Sequence, residues 1–276
     1  MRIRQSKNGD ASHFPVRRSR KTNSTPRNEM RPHWSARGPL VATVLLLAAN
    51  CADAEYREVA VANGGTIKGQ VRITGEIPKL PPQPVFKQQE VCGDTMPDER
   101  LVVGEKGALR NVVVSLTNVS TGRPVARDQV VTLDNVKCAF VPHVASATVG
   151  QMLVLRNSDP FLHDAHALLG SETLFNVAIP KGHTVRKPLA YPGLVRINCN
   201  IRHTWMHAYL YVGENPYHAV TDSSGNFTID QVPAGTYTLR VWHELLGSLD
   251  RQVTVEPGKT ATVDVEMPSV AAGSGN

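Results

Sequence analysis

Cys199-Asn200-Ile201-Arg202-His203-Thr204-Trp205-Met206 puts a thiol, an imidazole and a thioether into eight residues at spacing C-x3-H-x2-M. Thiolate and thioether are soft ligands and imidazole is borderline, a set that suits copper and not magnesium or calcium. Two imidazoles and a thiolate in a trigonal set, with a weak axial thioether, make an electron-transfer copper site. The stretch therefore calls for a second histidine from elsewhere. Asn157-Ser158-Asp159-Pro160-Phe161-Leu162-His163-Asp164 supplies one, 36 residues before Cys199. Asp-Pro marks a turn, and His163 sits where the chain re-enters a strand, a position from which a rigid scaffold can present a side chain.

Other residues read less sharply. His166 lies three residues from His163 and faces the other side of a strand, which makes it the substitute if the loop is displaced. His143 reads as a structural or exposed histidine. His243-Glu244 pairs a possible base with a carboxylate, but neighbours on a strand face opposite ways, so these read as exposed polar residues. Trp205, inside the late motif, is expected to pack over the site and exclude water. The chain carries no serine nucleophile elbow, no H-E-x-x-H and no phosphate-cradling glycine loop. It is expected not to be an enzyme: four protein ligands leave no position open to a substrate.

The elements that must hold these residues follow a basic leader. Residues 1–54 contain 10 Lys/Arg against 3 Asp/Glu, and the rest of the chain contains 20 against 21. The net charge of +6 thus belongs to the leader, and no nucleic-acid partner is expected. Pro39 to Ala49 is an apolar run between Arg31/Arg37 and Ala52-Asp53-Ala54, the order of a cleaved export signal. It is shorter than the ~20 residues of a membrane span. Met30 reads as the true start, with cleavage after Ala54, no transmembrane span afterwards, and a periplasmic or secreted location. Cleavage removes Cys51 and leaves Cys92, Cys138 and Cys199. Exported proteins pair their cysteines. A Cys92–Cys138 disulfide leaves Cys199 free as a ligand; a disulfide that uses Cys199 removes the metal site.

From Glu55 the sequence is that of an all-β protein, rich in Val and Thr with Gly, Pro and Asn punctuation. Thr66–Ile73 alternates apolar and polar residues. Gly75 to Pro84 holds four prolines, which suit an extended loop and not a central strand. Asn111–Leu116 carries three consecutive valines, a sign of burial on both faces. Further strands are expected at Gln129–Leu133, Cys138–Val141, Thr148–Arg156, Leu174–Ile179, Thr184–Leu189, Leu194–Cys199, Tyr209–Val212, Gln252–Val255 and Thr260–Val265. Residues 269–276 read as a disordered tail.

Two resemblances attach to these stretches. Residues 129–213, through N-S-D-P-F-L-H-D and C-N-I-R-H-T-W-M, resemble a cupredoxin, the Greek-key copper β-sandwich of plastocyanin and its relatives. That resemblance implies one copper held by His163, Cys199, His203 and Met206, and a redox partner protein of the cell envelope. Plastocyanin-like proteins carry Asn after the first ligand histidine, where this chain has Asp164, so the hydrogen bond that braces the ligand loop is in question. The late spacing is also similar to the binuclear copper A loop, but Val195 stands where that centre needs a second cysteine, which leaves a single copper. T-D-S-S-G-N-F-T-I-D-Q-V-P-A-G-T-Y-T-L at 221–239 is similar to the smaller carboxypeptidase regulatory-like, transthyretin-like β-sandwich, whose opening G-x-V strand Gly69-Gln70-Val71 resembles. Residues 64–128 and 214–268 would then be its opening and closing strands, with the cupredoxin between them. The expected function is an exported one-electron carrier. The alternatives are a metal-free binding or adhesion module, and a copper chaperone or sensor.

Overall fold

The structure, a computed structural model, describes residues 56–201 and 203–269. The expected leader, its start at Met30, Cys51, the cleavage after Ala54 and the tail beyond Ser269 lie outside the described residues. No helix among the described residues is long and apolar enough to cross a membrane.

Two pairs of sheets account for nearly all the regular structure. In the first sandwich one sheet runs Thr184–Pro188, Met152–Asn157, Val130–Val136, Ala139–Val141, and the other runs Glu172–Ile179, His163–Leu169, Gly193–Asn198, His207–Gly213, Val144–Thr148. Side chains alternate across a strand, and burial follows that period. Val195 and Ile197 are buried while Arg196 is exposed, and Ala208, Leu210 and Val212 point inward. They meet Leu133, Leu153 and Leu155 of the facing sheet in one apolar cluster.

The second sandwich pairs His218–Val220, Val113–Leu116, Gly235–His243, Gly247–Val255 with a sheet of Asn226–Val232, Gly65–Thr74 and Thr260–Thr262, to which Val265–Pro268 adds along Gly65–Thr74. Val113–Leu116 is buried along its whole length, as its valines suggested. It lies between two strands of its sheet and also contacts Val144–Thr148 of the first sandwich. The G-x-V strand has a steric basis. At Gly69 the Val263 carbonyl lies where a Cβ would be, so no side chain fits.

The expected strand Thr148–Arg156 is two strands, Val144–Thr148 and Met152–Asn157, which belong to opposite sheets. Gly150 turns the chain between them at φ +91°, a region that favours glycine. The expected Thr260–Val265 strand likewise divides into Thr260–Thr262 and Val265–Pro268.

The proline-rich stretch leads to the short helix Gln89–Cys92. Val85 and Cys92 join the apolar cluster of the first sandwich. A Cys92–Cys138 disulfide fastens this segment, and Cys199 is the free cysteine among the described residues. The segment is thereby held over one end of the first sandwich, where the Cys199 loop lies.

Candidate metal centre

His163 opens strand His163–Leu169, and Cys199 follows directly after strand Gly193–Asn198, which pairs with it. The chain then turns through His203 and returns as His207–Gly213, paired with Gly193–Asn198 in a register that sets Asn198 opposite His207. Two backbone bonds close this turn: Met206 N–H donates to the His203 carbonyl at 2.8 Å and Cys199 N–H to the Met206 carbonyl at 3.2 Å. Adjacent strand ends thus bring residues 163, 199 and 203 to one place.

There His163 Nδ1 and His203 Nδ1 lie 3.2 Å apart, and Cys199 Sγ is 3.7 Å from each. The three side chains are buried, at 0, 3 and 1 % exposure; Met206, whose backbone closes the turn with Cys199 and His203, is buried at 2 %. The outer nitrogen of each imidazole is engaged. His163 Nε2 donates to Asp159 Oδ2 at 2.9 Å, and His203 Nε2 donates to Gln88 Oε1 at 2.8 Å. A neutral imidazole carries one proton, so both Nδ1 atoms present lone pairs to one another and to the sulfur. Burial pushes His163 below the usual histidine range against the pull of Asp159, and pushes His203 down to about 4. Both rings are therefore neutral at pH 7. Burial pushes the Cys199 thiol up to about 11.

The surroundings fix these side chains. Asp164 Oδ1 accepts the backbone N–H groups of Asn200 at 2.6 Å and Ile201 at 3.3 Å, so the acidic residue itself braces the loop. Asn157 donates to the carbonyls of Phe161 and Ile179, both at 2.7 Å, and shapes the turn before His163. Asp159 also accepts from the backbone of Lys137 and Cys138. Trp205 lies with its ring centroid 5.2 Å from that of His203 and donates from Nε1 to the Cys138 carbonyl at 3.0 Å, tying the loop to the disulfide. His166 stands apart, bonded to Thr173 and Asn200. Asp159 was visible in the sequence as the acidic residue four before His163 but drew no role; Gln88 carries no local signal.

His243-Glu244 differs from its reading as exposed polar residues, and of the two readings of His143, structural or exposed, the exposed one does not hold. His143 and His243 are buried at 5 and 1 %, and the Glu244 side chain is 5 % exposed. Strand Gly235–His243 ends before Glu244, so the alternation of sides no longer applies there.

Residues 210–268 match the carboxypeptidase regulatory-like domain family. No curated protein matches the chain. Among solved structures, a reduced amicyanin variant is 18 % identical with TM-score 0.28, covering 31 % of this chain and 83 % of its own. A purple cupredoxin from Nitrosopumilus maritimus is 17 % identical with TM-score 0.27, covering 30 % and 98 %. A copper-containing nitrite reductase from Thermus scotoductus SA-01 is 23 % identical with TM-score 0.29, covering 43 % of this chain and 27 % of its own. The described residues are nearly all β; the chain is similar in its parts to cupredoxins and, over 210–268, to the carboxypeptidase regulatory-like domain.

Proposed function

We propose that the chain binds one copper ion through His163, Cys199 and His203, with Met206 as the weak axial ligand, and carries single electrons to a partner protein outside the cytoplasm. One observation carries this reading: two imidazole lone pairs and a sulfur face each other at 3.2–3.7 Å in a buried site. Lone pairs so close repel unless a cation lies among them. Donors that share one ion at about 2.0–2.3 Å each are themselves about 3–4 Å apart, so the residues fit a single metal. Thiolate with imidazole selects copper or zinc over hard cations. The thioether of Met206 favours copper.

The bound copper would supply reversible one-electron chemistry. His163 and His203 bind through Nδ1 because Asp159 and Gln88 hold the proton on each Nε2, which fixes the tautomer and orients the ring. Cys199 must lose its proton to ligate, so metal uptake releases a proton and is favoured as pH rises. Burial keeps water from the site and limits reorganisation. It also disfavours ready metal exchange, which argues for a carrier over a chaperone. Asp164 and Trp205 hold the loop in place whether or not the ion is bound.

The division into 64–128, 129–213 and 214–268 reads as a cupredoxin-like unit set between the opening and closing strands of a non-catalytic regulatory-like sandwich. The Cys92–Cys138 disulfide supports an oxidising, extracytoplasmic compartment. The test is Cu(II) titration followed by visible and electron paramagnetic resonance spectra. One equivalent with an intense thiolate-to-copper band, lost in Cys199→Ser, is expected. Failure to take up copper, or an unchanged spectrum in Cys199→Ser, overturns the assignment.

A further inference from the structure

A second group of donors lies outside the Cys199 centre. His143, His207 and Glu244 bring one donor atom each within 4.8 Å of one another. His143 comes from the stretch before Val144–Thr148, His207 opens the strand after the ligand loop, and Glu244 comes from the second sandwich. His143 Nε2 is 2.9 Å from Glu244 Oε2, and His207 Nε2 is 3.6 Å from Glu244 Oε1. That second contact is too long for a hydrogen bond, and Glu244 Oε1 is a buried oxygen without a hydrogen-bond partner.

The tautomer of His207 sharpens the point. Its Nδ1 donates to the Trp205 carbonyl at 3.2 Å, so in the neutral ring Nε2 carries a lone pair aimed at the unpartnered carboxylate oxygen. A lone pair and a carboxylate oxygen that converge in this way need a cation between them or an additional proton. His143 turns its other nitrogen toward the Glu99 carboxylate at 3.9 Å. The rings of His143 and His207 meet edge to face at 5.0 Å, and the His143 carbonyl accepts from Tyr209 N–H at 2.9 Å, so the donors are held by the sheet.

We propose that His143, His207 and Glu244 form a second metal site, for a divalent first-row transition ion such as Zn(II) or Cu(II). Two imidazoles and one carboxylate are the donors of sites that keep a coordination position open, unlike the Cys199 centre. All three residues line a cleft of about 420 Å³ whose wall also carries Arg100 and Arg196. An exogenous ligand can reach the ion from that side. The site does not depend on copper at Cys199, and the two are joined through the Met206–His207 peptide.

Zinc uptake tests the site apart from copper. In a Cys199→Ser background, which removes the thiolate, Zn(II) is titrated into the purified chain against a chromophoric chelator. One zinc per chain is expected. Glu244→Gln and His207→Gln are expected to weaken it by more than about 100-fold, beyond the loss caused by removing an outer partner alone. His166→Gln is the unaffected control. His207 is partly exposed at 23 %, so its variant reports even if Glu244→Gln fails to fold. No uptake by the parent overturns the site. Uptake equal to the parent in a His207→Gln chain with an unchanged unfolding midpoint overturns it too.

Discussion

The two sandwiches bury polar groups to different ends. In the second, Thr221 Oγ1 accepts from Val112 N–H at 3.0 Å and donates to the Leu109 carbonyl at 2.7 Å. Asn215 donates to the Leu116 carbonyl and accepts from Tyr217 N–H, each at 3.0 Å. These groups close loops, and their hydrogen-bonding capacity is used there. In the first, Asp159 and Gln88 engage the outward nitrogens of His163 and His203, and Asp164 holds the backbone just after Cys199, while the inward donors face one another. A buried polar group left unpaired costs about 1–3 kcal/mol, and an architecture that braces three such groups with further hydrogen bonds maintains that cost for a purpose. Thr221 and Asn215 stabilise loops of the second sandwich; the buried groups of the first hold a site.

The largest effect that separates the two regions is expected from the disulfide. Closing a loop of sequence separation 46 is worth about 4 kcal/mol in the chain-entropy account. Replacing Cys92 and Cys138 together by alanine should lower the urea midpoint accordingly. It should also weaken copper binding, because the Gln88 segment is no longer fastened over His203. Unchanged copper affinity would show that the segment covers the site without supporting it.

Leu239→Ala comes next. Leu239 is fully buried in the second core, and its truncation should cost about 2–5 kcal/mol while leaving the copper spectrum as it was. A spectral change would break the separation between the two sandwiches.

Acid destabilisation is smaller. His218 has its Nδ1 buried without a partner, and burial, aided by Arg123, holds the ring down to about 4. The unfolded chain takes up that proton near 6.5, so between these values it binds more protons than the folded chain. Stability is complete above 6.5, falls as pH drops through the window by up to about 3 kcal/mol, and levels off below it. Denaturant midpoints of the metal-free protein should show that slope, reduced in His218→Gln. An equal slope in both proteins would place the acid sensitivity in other groups.

The smallest expected effect concerns Asp159. Asp159→Asn keeps the size but removes the charge behind His163. Copper affinity should fall by about 10- to 100-fold, the range for an outer partner, measured by competition with a chelator. No change would mean that the tautomer of His163 is set without it.

Much of this was legible in the sequence, for physical reasons that also mark the limit. His163, Cys199 and His203 could be found because ligand chemistry restricts residue type and strand–turn–strand geometry restricts spacing. Val113–Leu116 was legible because burial on both faces removes polar residues from a strand. Gln88 was not: it reaches His203 across 115 positions, from a left-handed residue at φ 52° that no periodicity marks. His143 and Glu244 meet across 101 positions, and strand alternation pointed Glu244 outward because it gave no sign that the strand stops at His243. Gly150 was passed over in the same way, and two strands of opposite sheets were joined into one.

X-ray absorption at the copper edge of the one-copper protein addresses the central claim most directly. The account predicts one sulfur and two nitrogen neighbours at short distance, with the sulfur absent in Cys199→Ser. A shell of nitrogen and oxygen alone, the same in wild type and Cys199→Ser, would contradict it.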